Sequence, residues 1–133
     1  ALAAGKEGVA QLFDLNVLWN EATGQELPMG VLVERKSFVE ERADDLKVLL
    51  ADYQASVDFV NNIPAEAAAA IVEKGFIGKA EIAEAAIPNC HIVLYRGDQA
   101  AAGAAMLKTF NETLFAMNPA AVGGALPGDD LYY

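Results

Sequence analysis

A chain of 133 residues, 54% hydrophobic and 21% charged, is long enough to bury one ordinary core and too apolar to be disordered. Its 19 acidic residues outnumber 9 basic ones, for a formal net charge of -10. That field repels phosphate backbones and anionic lipid surfaces, so the sequence speaks against nucleic acid as a partner and against membrane adhesion. The single cysteine, Cys90, permits no internal disulfide and leaves the redox compartment open.

In chain order, Val9-Ala10-Gln11-Leu12-Phe13 is apolar at almost every position and reads as a short strand buried on both faces. Asp14 is placed to cap a short helix through Leu15, Leu18 and Trp19, which Thr23-Gly24 ends. After Pro28, Met29-Gly30-Val31-Leu32-Val33 reads as a second buried strand. Ser37 with Glu40 three residues on has the form of a capping box opening a helix through Phe38 and Val39. Leu46, Leu49, Leu50, Tyr53, Val57 and Val60 then fall at spacings of three and four, the apolar stripe of a long helix that Asn61-Asn62 breaks.

Pro64 suits the first turn of an alanine-rich helix that Gly75 terminates. Lys79 to Ala86 is a further short helix, stopped by Pro88, and Ile92-Val93-Leu94-Tyr95 reads as a third strand or a buried extended segment. Gly97-Asp98 opens a last long helix, with Met106, Leu107, Phe110, Leu114 and Met117 on one face and Pro119 at its end. The fold class expected is α/β and helix-rich, a short incomplete sheet covered by helices. The helices carry more apolar face than two or three short strands can use, and isolated strands are marginal. Completion by residues elsewhere is therefore expected, from an amino-terminal segment or a swapped copy. The chain opens at Ala1 without methionine and reads as the middle of something longer.

Chemistry is sparse along the chain. Cys90 and His91 are adjacent, and neighbouring side chains on an extended segment point apart, so they form no dyad and lack further ligands for a metal. The expectation is a small buried thiol beside a surface or capping histidine. The carboxylates Glu40, Glu41, Asp44, Asp45, Glu81 and Glu84 lie on solvated helix faces, and Asp129-Asp130 suits helix capping. Gly5, Gly8 and Gly30 fit no phosphate-loop spacing. Trp19, with Asn16 and Asn20 nearby, is either core or ligand-facing, and Gly30 after Pro28-Met29 is either a plain turn or a close approach of backbone to ligand. No cofactor and no metal is called for.

Several segments, read in order, resemble the solute-binding proteins of nitrate/sulfonate/taurine-type ABC importers, which have the bilobal type II periplasmic-binding fold. Gly30-Val31-Leu32-Val33-Glu34-Arg35-Lys36-Ser37-Phe38 is similar to the segment returning to the first lobe. Leu46 to Asn62 with Ile63-Pro64-Ala65-Glu66-Ala67-Ala68 resembles the long helix and its continuation, and Ala80-Glu81-Ile82-Ala83 with Ala86-Ile87-Pro88 the next helix and its stop. Asn118-Pro119, Val122-Gly123-Gly124 and Leu126 through Tyr133 resemble a carboxy-terminal signature.

The resemblance implies a carboxy-terminal piece of such a protein. Residues 1–28 would be the tail of the second lobe and the crossing segment, and residues 29–133 the carboxy-terminal half of the first lobe. It implies a non-enzymatic, extracytoplasmic component, periplasmic or lipid-anchored, that captures a small-molecule solute between lobes and delivers it to ABC permease subunits. By location, Asn16, Trp19, Asn20, Met29 and Gly30 lie nearest the expected hinge and cleft. The alternative is an enzyme on the same bilobal fold, of the thiamine-pyrimidine or menaquinone-pathway type. That needs a catalytic cysteine, histidine or carboxylate facing the cleft, and neither Cys90 nor His91 is near the expected hinge.

Overall fold

The computed structural model describes Ala10 and residues 12–132. Six α-helices follow one another: α1 (Leu15–Thr23), α2 (Lys36–Glu41), α3 (Ala43–Asn62), α4 (Pro64–Glu73), α5 (Ala80–Ala86) and α6 (Ala100–Met117). Short 3-10 turns fall at Ile87–Asn89, Gly97–Gln99, Pro119–Val122 and Asp129–Leu131. Among the described residues there is no strand.

The α/β expectation, with its incomplete sheet of a type II periplasmic-binding lobe, is therefore corrected to an all-helical architecture. Met29–Val33 and Ile92–Tyr95 are irregular, and Met29, Val31, Leu32, Val33 and Val93 are exposed. An apolar run becomes a strand only when another strand takes up its backbone N–H and C=O groups, and neither run has one among the described residues. Of the run Val9–Phe13, Val9 and Gln11 lie outside the described residues, as do Gly5, Gly8 and Tyr133; Leu12 and Phe13 are irregular and exposed.

The residues divide into two units, one built from residues 33–94 and the other from residues 12–32 and 95–132. In the first, α3 runs to Asn62 and the chain re-enters helix at once with Pro64, whose missing N–H costs nothing in a first turn. Gly75 (φ 76°) takes the left-handed position after α4, and its N–H reaches the Val72 carbonyl at 2.9 Å. α4, α5 and the Ile87–Asn89 turn enclose the core: Ala67, Ala68, Ala83 and Ile87 are buried, with Val60, Ile71, Ile77 and Ala80 packed around them. Small alanine faces allow close helix approach, and Ile87 fills the space they leave. Pro88 lies inside the 3-10 turn that prolongs α5, so the helix tightens where a plain stop was expected.

Two further local expectations are corrected. α2 forms where expected, but it starts at Lys36 behind Arg35 with no side-chain cap, so Ser37 is no capping residue. The stripe on α3 is only partly covered. Leu46 and Val57 are buried, while Leu49 and Tyr53 are exposed. Arg42 pairs with Asp45, and Lys47 with Asp44 at 2.9 Å, both exposed and of small energetic weight.

The second unit contains α1 and α6. Asp14 caps α1 by accepting from the Asn16 N–H at 2.9 Å, and Gly24 (φ 69°) closes it with its N–H on the Asn20 carbonyl at 2.7 Å. α6 begins after the Gly97–Gln99 turn and ends at Asn118, whose side chain caps the following 3-10 turn. Met106, Leu107, Phe110 and Leu114 are half-buried and Met117 is exposed, so α6 buries no described residue completely.

Candidate functional site

Polar and aromatic side chains gather in the second unit. Trp19 on α1 meets Phe110 on α6 edge to face, ring centroids 5.7 Å apart at 63°. The turn closing α1 is tied by side chains. The Thr23 hydroxyl donates to the Trp19 carbonyl (2.8 Å) and accepts from the Gln25 N–H (3.2 Å), while Asn20 Nδ2 donates to the Gln25 carbonyl (3.4 Å). Trp19 Nε1 and Gln25 Oε1 are buried and find no hydrogen-bond partner among the described residues.

The residues singled out at the expected hinge separate into two groups. Asn16, Trp19 and Asn20 share α1, where Asn16 serves the Asp14 cap through its backbone and Asn20 steadies the Gln25 turn. Met29 and Gly30 lie on the irregular stretch beyond, Met29 is 84% exposed, and a Cβ placed on Gly30 would meet nothing within 4 Å.

A tighter constellation joins residues distant in sequence. The Tyr95 hydroxyl donates to Glu26 Oε2 at 3.1 Å, across 69 positions. Tyr95 lies against α6 at Gly103: a Cβ at position 103 would come 2.8 Å from Tyr95 Cβ. Glycine is what lets the Tyr95 segment approach this closely. Burial, and then the hydrogen bond and negative charge of Glu26, raise the Tyr95 pKa above its ordinary 10.0. The phenol is thus held protonated at neutral pH as a donor to a carboxylate.

Further along α6, Lys108, Asn111 and Glu112 line a cleft of about 180 Å³ with Leu126, Pro127, Asp129 and Tyr132. Lys108 Nζ donates to Asp129 Oδ1 at 2.6 Å and lies 5.4 Å from the centre of the Tyr132 ring, whose hydroxyl accepts from Asn111 Nδ2 at 2.9 Å. The hydrogen bond to Asp129 and then its charge raise the Lys108 pKa, and the same contacts lower that of Asp129. Asp129 therefore holds an ammonium; its expected capping role is not what the structure shows.

Cys90 is exposed, correcting the expected buried thiol. The backbone at this place is not extended either: His91 adopts φ 47°, a left-handed conformation uncommon outside glycine. Asn61 Nδ2 anchors the segment by donating to the Ile92 carbonyl at 2.8 Å. Among the described residues no group of three or more His, Cys, Asp or Glu is placed to hold a metal ion, and no helix is long and apolar enough to cross a membrane.

A family model for menaquinone biosynthesis matches residues 1–104, more than half of the chain. The chain belongs to the menaquinone biosynthesis family. No curated protein and no solved structure gives a match. Membership of the menaquinone biosynthesis family overturns the resemblance to ABC-importer solute-binding proteins, and with it the transport role, the permease partnership and the reading as a non-enzymatic component. The segments quoted for that resemblance are apolar helices and turns, a grammar many helical proteins share. The menaquinone-pathway alternative is the reading that the family supports. Glu26, Tyr95 and Gly103 fall inside the matched residues; Lys108 and the tail through Tyr132 fall outside them. Sequence reasoning missed the Glu26–Tyr95 pair because neither residue stands in a motif. The one available signal is Gly103 inside the first turn of a helix, which marks a close approach.

Proposed function

We propose that the chain is part of an enzyme of menaquinone biosynthesis acting on a small organic precursor, with Glu26 and Tyr95 as its proton-handling pair. The observation that carries the reading is the family match over residues 1–104, which includes both side chains of the hydrogen-bonded pair. Glu26 is placed to accept a proton that a bound molecule releases, and the Tyr95 O–H, freed from Glu26 once the carboxylate has taken that proton, can then donate a hydrogen bond to a carbonyl or hydroxyl oxygen of the same molecule. Trp19 and Phe110 offer aromatic surface in the same unit against which an unsaturated ring can pack.

Deleting the gene in its source organism and measuring menaquinone in lipid extracts by mass spectrometry tests the reading. Menaquinone falls to background and returns when the gene is restored; unchanged menaquinone would overturn the assignment to this pathway. Restoring with Tyr95→Phe or Glu26→Gln in the full-length gene tests the pair separately. Menaquinone then recovers only partly, about a hundredfold below wild type in rate for a lost acid or base. Full recovery with both variants removes the pair from the chemistry and leaves the pathway assignment standing.

A further inference from the structure

After α6 and the Pro119–Val122 turn, Gly123 and Gly124 take consecutive left-handed conformations (φ 79° and 88°), and the chain reverses so that residues 126–132 lie back along α6. Other residue types are strained at both positions, whereas glycine passes through them freely. Beyond this pivot, the returning segment is held to α6 by polar contacts. Lys108 pairs with Asp129, the Tyr132 ring lies beside Lys108, and Asn111 donates to the Tyr132 hydroxyl. Leu126 and Pro127 form the segment's apolar share of the cleft.

We propose that residues 125–132 are a hinged strap, pivoting at Gly123–Gly124 and latched onto α6 by Lys108, that forms one wall of the cleft against α6 and opens the cleft to solvent when the latch is released. The holding contacts are of the reversible kind. The Lys108 side chain is 44% exposed and that of Asp129 91%, so water and salt reach the ion pair. An apolar plug would commit the segment to one position; contacts such as an exposed ion pair and a neutral hydrogen bond let it exchange between closed and open. Leu131 N–H on the Gly128 carbonyl (3.1 Å) and Tyr132 N–H on that of Asp129 (3.3 Å) close a turn within the strap, and their protection reports whether it is folded down.

Hydrogen exchange on the full chain, read for residues 125–132 and for α6, tests this at low and at about 1 M salt, where the Debye length is about 3 Å. In wild type the strap exchanges more slowly than an open peptide at low salt and speeds up by a few-fold at high salt. Lys108→Met and Asp129→Asn each bring on the fast rate at low salt and abolish the salt response, and Lys108→Asp combined with Asp129→Lys restores slow exchange. Gly123→Ala with Gly124→Ala, which strains the pivot, also speeds the strap but retains the salt response of the remaining latch. Strap amides as fast as an open peptide in wild type, no change in either single variant, or acceleration spread equally over all of α6 would each overturn the proposal.

Discussion

Residues 33–94 place alanines 67, 68 and 83 against Ile87 and surround them with further aliphatic side chains, while residues 12–32 and 95–132 bury no described residue completely. What the second unit has instead is a set of ties between distant positions: Trp19 with Phe110, Glu26 with Tyr95, Lys108 with Asp129, Asn111 with Tyr132. The first unit is held by removal of apolar surface from water, at about 25 cal/mol per Å². The second is held by directional contacts whose net worth is about 1 kcal/mol each where buried and less where exposed. Chemistry needs groups with unspent hydrogen-bonding capacity and access to solvent. The unit that packs less well is the one that carries such groups, and it is where the proposed pair lies.

The largest effect that sharpens this contrast is expected at Ile87. It is the one large buried side chain of the alanine-lined core, and Val60, Ile71 and Ile77 are already packed against that core. Ile87→Ala should cost about 2–4 kcal/mol, read as a fall in the midpoint of urea unfolding followed by circular dichroism. Leu114→Ala, half-buried on α6, should cost roughly 1 kcal/mol, because less area leaves water there. Equal costs at the two positions would break the distinction between a packed unit and a tied one.

Several helix ends were legible in the sequence because the deciding chemistry is local, although the capping-box pattern at Ser37 is not used by α2. Asp14 and Gly24 bound α1, Pro64 opens α4 and Gly75 follows it, and Pro119 succeeds α6, each acting through its own backbone geometry. The strand expectations failed because Met29–Val33 and Ile92–Tyr95 satisfy the local pattern but lack the non-local partner that makes a strand. The candidate site was invisible for the same reason: Glu26 and Tyr95 are 69 positions apart, Lys108 and Asp129 are 21 apart, and no spacing rule joins them. Cys90 and His91 stand out in the sequence because each is the single residue of a reactive type. A tyrosine with a glutamate carries no such flag.

Gly103→Ala comes next in size and has an unusual sign. Alanine inside a helix is ordinarily better than glycine by about 1 kcal/mol. Here the added Cβ would lie 2.8 Å from Tyr95 Cβ, an atom fixed to the backbone that cannot swing aside, and 3.3 Å from its Cγ. The clash should outweigh the propensity gain and leave a net loss of about 1 kcal/mol in urea unfolding, typical of overpacking. A gain in stability would mean that Tyr95 is not held against α6.

Trp19 offers a more diagnostic test, because the informative variant is expected to change stability least. An orphaned buried donor costs about 1–3 kcal/mol, so Trp19 Nε1 offsets part of what the indole gains by packing. Trp19→Phe removes the donor and retains an aromatic ring for Phe110, and should change stability by no more than about 0.5 kcal/mol. Trp19→Ala loses the ring pair and should cost about 1–2 kcal/mol. A large loss in Trp19→Phe would show that the Nε1 proton has a partner in solution.

The smallest effect tests the polar tie at Tyr95. A folded-state pKa raised above the unfolded value means that the group's contribution to stability is present in full below the unfolded pKa and is lost as pH rises through the folded one. Burial and Glu26 both raise Tyr95 above 10.0, so its tie should be insensitive to pH around neutrality and should titrate away only on the alkaline side. Glu26→Gln keeps an acceptor oxygen and removes the charge. The Tyr95 midpoint should then move down toward 10.0 without reaching it, because burial, the larger cause, remains. A carbon-13 NMR titration of the tyrosine rings in the full chain, with Tyr95→Phe to assign the resonance, reads the shift directly. If Glu26→Gln leaves the midpoint where it was, the two side chains do not interact, and the second unit keeps its aromatic and tail contacts but loses its proton-handling pair.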